Sequence, residues 1–179
     1  SGISYLHQIR PRPYVHGDIR PSNVLVTRDM KAKVGDFGTA HLIESSLSIG
    51  PVSPPYLAPE RAPPSGSAST LSSDMYSLGV SLIEIFTGEG PIPDKRQTQL
   101  DNLADVNLLR LCSCLIDHEP ANRLPAQSCF KKLKSSFAEH KKRLSAQEIV
   151  TAKRLVEGVH VLKGGTHNHK VVLHNISIN

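Results

Sequence analysis

The sequence predicts a mainly α-helical domain with a few short β-strands near its beginning. The strongest signal is STLSSDMYSLGVSLIEIFTGEG, a stretch that is apolar around nearly its whole circumference and is therefore expected at the centre of the domain. DVNLLRLCSCLI and the segment after Pro125 also show the apolar spacing of helices. Short apolar pieces on both sides of HGDIRPSN predict strands, and 179 residues suffice for one sizeable core.

The elements follow in order along the chain. SYLHQI, residues 4–9, is expected to end a helix, because two prolines come directly after it. From Thr39 to Pro64, frequent Ser, Gly and Pro residues predict mostly loop. Strands are predicted at three short pieces, namely residues 14–15, residues 24–26 and the start of KAKVGDFG.

Local signals mark the ends of the helices. Ser72 or Ser73 is expected to cap the central helix, and Gly88 is expected to end it. Asp105 begins the second helix, and Pro125 opens the third at a position where proline is tolerated. The apolar face of the third helix is predicted to consist of Phe130, Leu133 and Phe137.

Charge and cysteine content narrow the class of protein. The net charge is +5, and much of the excess lies in KKLK and HKKR. These runs indicate a solvated helix face rather than nucleic-acid binding. No apolar run approaches the roughly 20 residues of a membrane helix, so no membrane contact is expected. Three cysteines without metal-ligand spacing predict reduced thiols in a cytoplasmic protein.

Two carboxylates and an amide follow the first strands. Asp18 and Asn23 lie on one loop, and Asp36 follows the next small strand. A phosphoryl-transfer site needs a carboxylate beside the attacking hydroxyl and oxygen ligands for Mg²⁺ on the nucleotide phosphates. A lone Asp in a loop is usually a turn or cap residue, so the significance of Asp18 depends on the other two.

These residues carry a resemblance to the C-terminal lobe of eukaryotic protein kinases. His16–Asn23 resembles the H-R-D-L-K-x-x-N catalytic loop, and Asp36-Phe37-Gly38 and Ala58-Pro59-Glu60 match D-F-G and A-P-E. SDMYSLG resembles S-D-x-W-S-L-G, and DHEPANRL ends in an arginine that resembles one late in the family. The resemblance covers residues 1–137, which gives a kinase-like domain followed by a basic helix and tail over residues 138–179.

The resemblance implies a role for each residue near the nucleotide. Asp18 would accept the proton of the substrate hydroxyl or orient that hydroxyl. Asn23 and Asp36 would hold Mg²⁺, and Arg20 would lie near the transferring phosphate of ATP. Leu25 would form the floor under adenine.

Five further residues would have structural roles. His16 and Phe37 resemble members of a stacked apolar column, which makes His16 a packed histidine rather than a base. Asp74 would anchor this column from the central helix, either as a helix cap or through the backbone of the loop. Glu60 and Arg123 would form a buried ion pair.

The residues around the expected activation segment bear on specificity and control. Ser53-Pro54-Pro55-Tyr56 resembles the T-P-x-Y of Ser/Thr kinases, in which the first hydroxyl bonds to the catalytic Asp. Gly17 stands where many kinases have an arginine that receives a phosphate on this segment. We therefore expect that phosphorylation of Ser45, Ser46 and Ser48 is not the main activating switch.

The resemblance predicts an ATP- and Mg²⁺-dependent protein kinase that acts on Ser/Thr hydroxyls of a protein substrate. The Gly-rich loop, the Val-Ala-x-Lys strand and the Glu-bearing helix of the N-terminal lobe do not occur in the chain. We expect either that the N-terminal lobe lies upstream in a longer protein or that this chain is a truncated product without it. The chain alone is expected to bind ATP poorly. The alternative is a non-catalytic, pseudokinase-like module that binds other proteins.

Overall fold

The computed structural model describes residues 2–42, 54–64 and 66–143, and it confirms a mainly α-helical domain. Within these ranges no helix has both the length and the apolar character needed to cross a membrane. The helices are α1 (Gly2–Leu6), α2 (Leu71–Thr87), α3 (Arg96–Asp101), α4 (Val106–Leu115) and α5 (Ala126–Arg143). The strands are β1 (Tyr14–Val15), β2 (Val24–Val26), β3 (Ala32–Val34) and β4 (His41–Leu42).

The strands form two antiparallel pairs rather than one sheet. β2 pairs with β3, with Val24 opposite Val34, and β1 pairs with β4, with Val15 opposite His41. β1, β2 and β3 lie where the sequence predicts them, whereas β4 and the short helix α3 were not predicted. α1 ends at Leu6, three residues before the predicted end.

The ends of α2 show why its first turn forms where it does. Thr70, rather than Ser72 or Ser73, is the N-cap, because its hydroxyl accepts a hydrogen bond from the Ser73 N–H at 3.0 Å. The Ser73 hydroxyl lies 2.9 Å from the Thr70 N–H and completes a reciprocal capping box. Gly88 ends the helix as predicted, with a left-handed φ of 73°.

α2 lies at the centre of the domain, as its apolar circumference predicts. Its Met75 packs with residues of α4 and α5, whereas Ile83 packs with Leu100, Leu103 and Cys112. Tyr76 and Val80 form a third cluster with Ala58. One helix thus contributes to every buried apolar cluster of the described residues, which explains its few exposed positions.

The face that α5 turns to the core differs from the prediction. Ala126 and Cys129 are buried against α2 and α4, and Leu133 packs on the same cluster. Phe130 is 39% exposed, and the Phe137 side chain lies outside the description. Ala126, Cys129 and Leu133 are spaced by three and four residues and so share one face of α5, and Phe130 lies at the edge of that face. Residues 138–143 continue α5, and the predicted helix beyond them lies outside the described residues.

Gly79 is expected to tolerate no side chain. A Cβ atom there would lie 2.8 Å from both Leu115 Cβ and Ile116 Cγ2. Gly79→Ala should therefore destabilise the domain by about 1–3 kcal/mol, despite the higher helix propensity of Ala. Gly90→Ala is the matched control, since no atom lies within 4 Å of its Cβ position. Equal urea midpoints for the two variants would contradict this account of the α2–α4 contact.

Candidate functional site

The loop between β1 and β2, residues 16–23, is anchored by a buried carboxylate. Asp74 of α2 is 1% exposed. Its Oδ2 accepts a hydrogen bond from the His16 N–H at 2.8 Å, and its Oδ1 accepts one from the Gly17 N–H at 2.9 Å. His7 Nε2 lies 2.9 Å from the same Oδ2. Of the two roles foreseen for Asp74, the structure thus shows the bond to the loop backbone.

Gly17 is required by the backbone of this loop. Its φ is +81°, a conformation that residues with a side chain rarely adopt, and a Cβ there would lie 3.3 Å from the Thr39 carbonyl. The Thr39 hydroxyl donates to the His16 carbonyl at 2.8 Å, and Arg61 Nη1 donates to the Gly17 carbonyl at 3.2 Å. The peptide units before Asp18 are therefore held on several sides.

Asp18 and Asn23 contact each other directly. Asn23 Nδ2 donates to Asp18 Oδ2 at 2.9 Å and to the Asp18 carbonyl at 2.9 Å. The turn over Pro21–Asn23 makes this contact possible, because it folds the loop back on itself within five residues. The Asn23 amide thus orients the Asp18 carboxylate. Both hydrogen bonds come from Nδ2, so Asn23 Oδ1 is the atom that could bind a ligand.

The β2–β3 pair brings Asp36 to the same end of the loop. Asn23 precedes β2 and Gly35 follows β3, and the Gly35 N–H donates to the Asn23 carbonyl at 2.8 Å. Asp36 comes next, with a left-handed φ of 57° and an exposed side chain. Its Oδ1 accepts a long 3.4 Å bond from the Gly38 N–H. Two carboxylates and an amide are therefore gathered around one hairpin end.

The donor set at this end suits Mg²⁺ better than a softer metal. Asn23 and Asp36 offer only oxygen atoms, and Mg²⁺ in nucleotide sites is usually bound by one or two carboxylates together with phosphates. In the described part of the chain, no group of three or more His, Cys, Asp or Glu side chains could hold a metal by itself. Two protein ligands would leave the other positions around such a metal to phosphate oxygens or water.

Arg20 lies on the 16–23 loop, and Leu25 lies in the adjoining strand β2. Arg20 Nε donates to the Ser22 hydroxyl at 2.6 Å, and its guanidinium carbon lies 6.0 Å from the centre of the Tyr56 ring. Leu25 in β2 is 48% exposed, and its Cδ1 lies 3.3 Å from the place that a Cβ atom on Gly35 would occupy. An exposed apolar side chain beside the hairpin end is the surface that a planar base could cover.

His16 and Phe37 lie in contact, as the stacked column predicts. Their ring centres are 5.3 Å apart at an angle of 57°. His16 is fully buried, and its Nε2 lies 3.0 Å from the Gly35 carbonyl, whereas Phe37 is 51% exposed. His16 links the 16–23 loop to the residue before Asp36, which supports a structural role for this histidine.

Glu60 and Arg123 form the ion pair that the resemblance implies. Arg123 Nη1 and Nη2 each donate to one carboxylate oxygen at 2.7 Å. The Arg123 side chain is 0% exposed and also donates to the Asp117, Ser72 and His118 carbonyls. Burial raises the pKa of Glu60, but the hydrogen bonds and charge of Arg123 outweigh it, so the pKa lies below its ordinary value.

The turn at Pro54–Tyr56 is attached to α2 and to α3 by hydrogen bonds that the sequence did not predict. Ser53 lies outside the described residues, so its predicted bond to Asp18 stays a prediction. The Tyr56 hydroxyl donates to Glu84 Oε2 at 2.6 Å, and burial together with that carboxylate raises the Tyr56 pKa. Arg96 Nη2 donates to the Pro55 carbonyl at 2.8 Å. His7, Glu84 and Arg96 carried no spacing signal, because their partners are distant in sequence.

Asp74→Asn is expected to loosen the 16–23 loop. An amide offers one acceptor oxygen, whereas the carboxylate accepts from two main-chain N–H groups with separate oxygens. Leaving one buried N–H unpaired costs about 1–3 kcal/mol. Urea unfolding should report this loss, and hydrogen exchange at His16 and Gly17 should become faster. Asp94→Asn, at an exposed position, is the control, and equal stability of the two variants would refute the anchoring role.

Comparisons with a family model and with known proteins both find similarity to protein kinases. The model of the protein kinase domain matches residues 1–154. Calmodulin-binding receptor-like cytoplasmic kinase 1 of Arabidopsis thaliana is 40% identical over an alignment of 105 residues; the match covers 52% of this chain and 21% of that protein. MAP kinase kinase skh1/pek1 of Schizosaccharomyces pombe is 42% identical over 94 residues, which are 52% of this chain and 24% of that protein. The chain thus spans less than a quarter of the length of either relative.

Proposed function

Because this chain belongs to the protein kinase family, we propose that the protein transfers a phosphoryl group from ATP to a serine or threonine hydroxyl of another protein. The observation that carries the proposal is the hydrogen bond between Asn23 Nδ2 and Asp18 Oδ2, at the hairpin end where Asp36 also lies. A carboxylate held by a neighbouring amide is suited to accept a proton from, or to orient, an attacking hydroxyl.

The other residues of the site would bind and orient the nucleotide. Asn23 and Asp36 would hold Mg²⁺, which supplies charge neutralisation at the phosphates when bound. Arg20 would pair with the transferring phosphate, since a guanidinium offers a fork of donors that matches phosphate oxygens. Leu25 would cover one face of the adenine. In this arrangement Asp18 is the residue left to interact with the substrate hydroxyl.

Serine or threonine specificity is favoured over tyrosine. Ser53 offers a hydroxyl at the position where Ser/Thr kinases have the Thr of T-P-x-Y. Tyr56 stands where tyrosine kinases generally have Trp. The short bond from Tyr56 to Glu84 attaches this turn to α2, so the segment next to the substrate would be rigid on that side. The three cysteines of the sequence lack metal-ligand spacing, which is typical of reduced thiols, and we propose a cytoplasmic location on that ground.

A second candidate is a non-catalytic module that binds other proteins. The exposure of Leu25 and Phe37 favours it, because an open surface would bind a nucleotide only weakly. In the kinase proposal, an N-terminal lobe belonging to the longer protein would cover this surface. Both candidates share a domain over residues 1–137, with the segment from residue 138 as an accessory part.

Titration calorimetry with Mg-ATP separates the two candidates. We expect weak or no binding to residues 1–179, and Mg²⁺-dependent binding to the full-length protein. Asp36→Asn should weaken the full-length interaction, whereas Asp29→Asn, at an exposed turn of the same hairpin, should not. A full-length protein that fails to bind Mg-ATP would support the non-catalytic module.

A further inference from the structure

A groove of about 750 Å³ lies between α4 and α5, outside the candidate site. Its α4 wall carries Arg110 and Cys114, one helical turn apart, and its α5 wall carries Lys131, Lys132 and Ser135. We call it the α4–α5 groove. Its lining includes none of the residues assigned to the nucleotide or the substrate hydroxyl, so it can be tested independently of phosphoryl transfer.

Three basic side chains line the α4–α5 groove. Arg110, Lys131 and Lys132 are exposed, and none of the described lining residues is acidic. Among the residues that the structure describes, none of the three forms an ion pair or a side-chain hydrogen bond, whereas Lys31 and Arg123 each have a carboxylate partner. Three like charges around one concavity repel one another, and an anionic occupant would relieve this repulsion.

We propose that the α4–α5 groove binds an Asp- and Glu-rich segment of a partner protein. Its volume accommodates a few side chains rather than a folded domain. The cations on both walls can approach the carboxylates of an extended segment from two sides. Leu111, buried in the groove floor, and Cys114 provide apolar surface for the intervening side chains.

Other occupants fit the groove less well. None of the described lining residues is aromatic, so these residues offer no ring on which the bases of a single-stranded nucleic acid could stack. A membrane surface would not enter a concavity, and Val106 and Phe130 are the only large exposed apolar residues on the described parts of α4 and α5. Residues 144–179 carry four Lys or Arg residues and two Glu residues, so this chain's own tail has the same sign of charge as the groove.

Charge reversal in the α4–α5 groove tests the proposal. The ligand is a fluorescein-labelled peptide of alternating Asp, Glu and Ser, measured by anisotropy with the full chain. Lys131→Glu with Lys132→Glu should weaken binding by about tenfold or more, and added salt should weaken binding to the parent protein. Arg28→Glu with Lys95→Glu changes the net charge equally at exposed positions outside the groove, and it should leave the affinity within about twofold.

Cys114 allows a second measurement that depends on location. It is exposed, whereas Cys112 and Cys129 are buried, and burial raises their pKa values to about 12 and about 11. A thiol reagent should therefore modify Cys114 first. The acidic peptide should slow this modification in the parent protein and in the Arg28/Lys95 variant, but not in the Lys131/Lys132 variant.

The result that supports the proposal is groove-specific binding together with protection of Cys114. Three results would overturn it: no binding beyond that of an all-Ser peptide, equal losses in the two charge-reversed variants, or no protection of Cys114. Tighter binding of a thymidine oligonucleotide or of phosphatidylserine vesicles at the same residues would also overturn it, in favour of those ligands. None of these results depends on whether the protein transfers phosphate.

Discussion

Replacing Arg123 with Ala is expected to destabilise the domain by about 3–5 kcal/mol. The guanidinium donates to both oxygens of Glu60 and to three main-chain carbonyls, and it lies 5.0 Å from the centre of the Tyr76 ring. Its loss would leave a partly buried carboxylate and several carbonyls without their donor. Urea unfolding followed by circular dichroism measures the change.

Matched variants separate this effect from the loss of any positive charge. Arg123→Lys keeps the charge but not the planar fork, so it should recover only part of the stability. Lys31→Ala removes an exposed ion pair to Asp29 and should leave the urea midpoint unchanged. If Arg123→Ala were no less stable than Lys31→Ala, the ion pair would not be holding the 58–61 segment to the domain.

The ion pair between Glu60 and Arg123 predicts that the stability of the domain falls as the pH is lowered. The pKa of Glu60 is lowered in the folded state, so its stabilising contribution is fully present above the ordinary pKa that it has in the unfolded chain. That contribution is lost as the pH falls through the lowered folded pKa. Below that pKa, Glu60→Gln should lower the free energy of unfolding only slightly relative to the parent protein. Near neutral pH, the same substitution should lower it most, and urea unfolding at the two pH values measures the difference.

Asp18→Asn is expected to lower the turnover number of the full-length protein by about 10²–10⁴-fold, with little change in Mg-ATP affinity. An amide has the shape of the carboxylate but cannot accept the hydroxyl proton. The hydrogen bond from Asn23 can persist, because Asn at position 18 still offers an acceptor oxygen. Transfer of labelled phosphate to a generic protein substrate measures the loss, and calorimetry measures nucleotide affinity.

Two comparisons make this prediction sharp. Asn23→Ala removes a proposed metal ligand as well as the bond that orients Asp18, so it should reduce both affinity and turnover. Asp29→Asn changes an exposed carboxylate beyond β2 and should affect neither. Activity of Asp18→Asn close to that of the parent protein would rule out the proposed role of Asp18, even if nucleotide binding were intact.

Features encoded within a few residues could be predicted from the sequence. Gly88 ends α2 and Asp105 caps α4 through bonds to the next residues, as predicted. Asp18 and Asn23 meet because five residues and a proline turn bring them together. Long-range pairs such as Glu60 with Arg123 were expected only through the resemblance to a family, since no local rule links residues 63 positions apart.

The remaining features depended on packing between distant segments. His7 contacts Asp74, 67 positions later in the chain. β4 pairs with β1, and no local sequence pattern predicts that pairing. α5 turns Ala126 and Cys129 inward, into one cluster with Leu111 and Leu115 of α4, and leaves Phe130 39% exposed. The sequence by itself thus determined the longer helices α2, α4 and α5, the end of α2, the start of α4 and the residues suited to the chemistry. Only the tertiary structure decided which face each helix buries and which side chains support the 16–23 loop, because burial and long-range hydrogen bonds exist only once the chain has closed on itself.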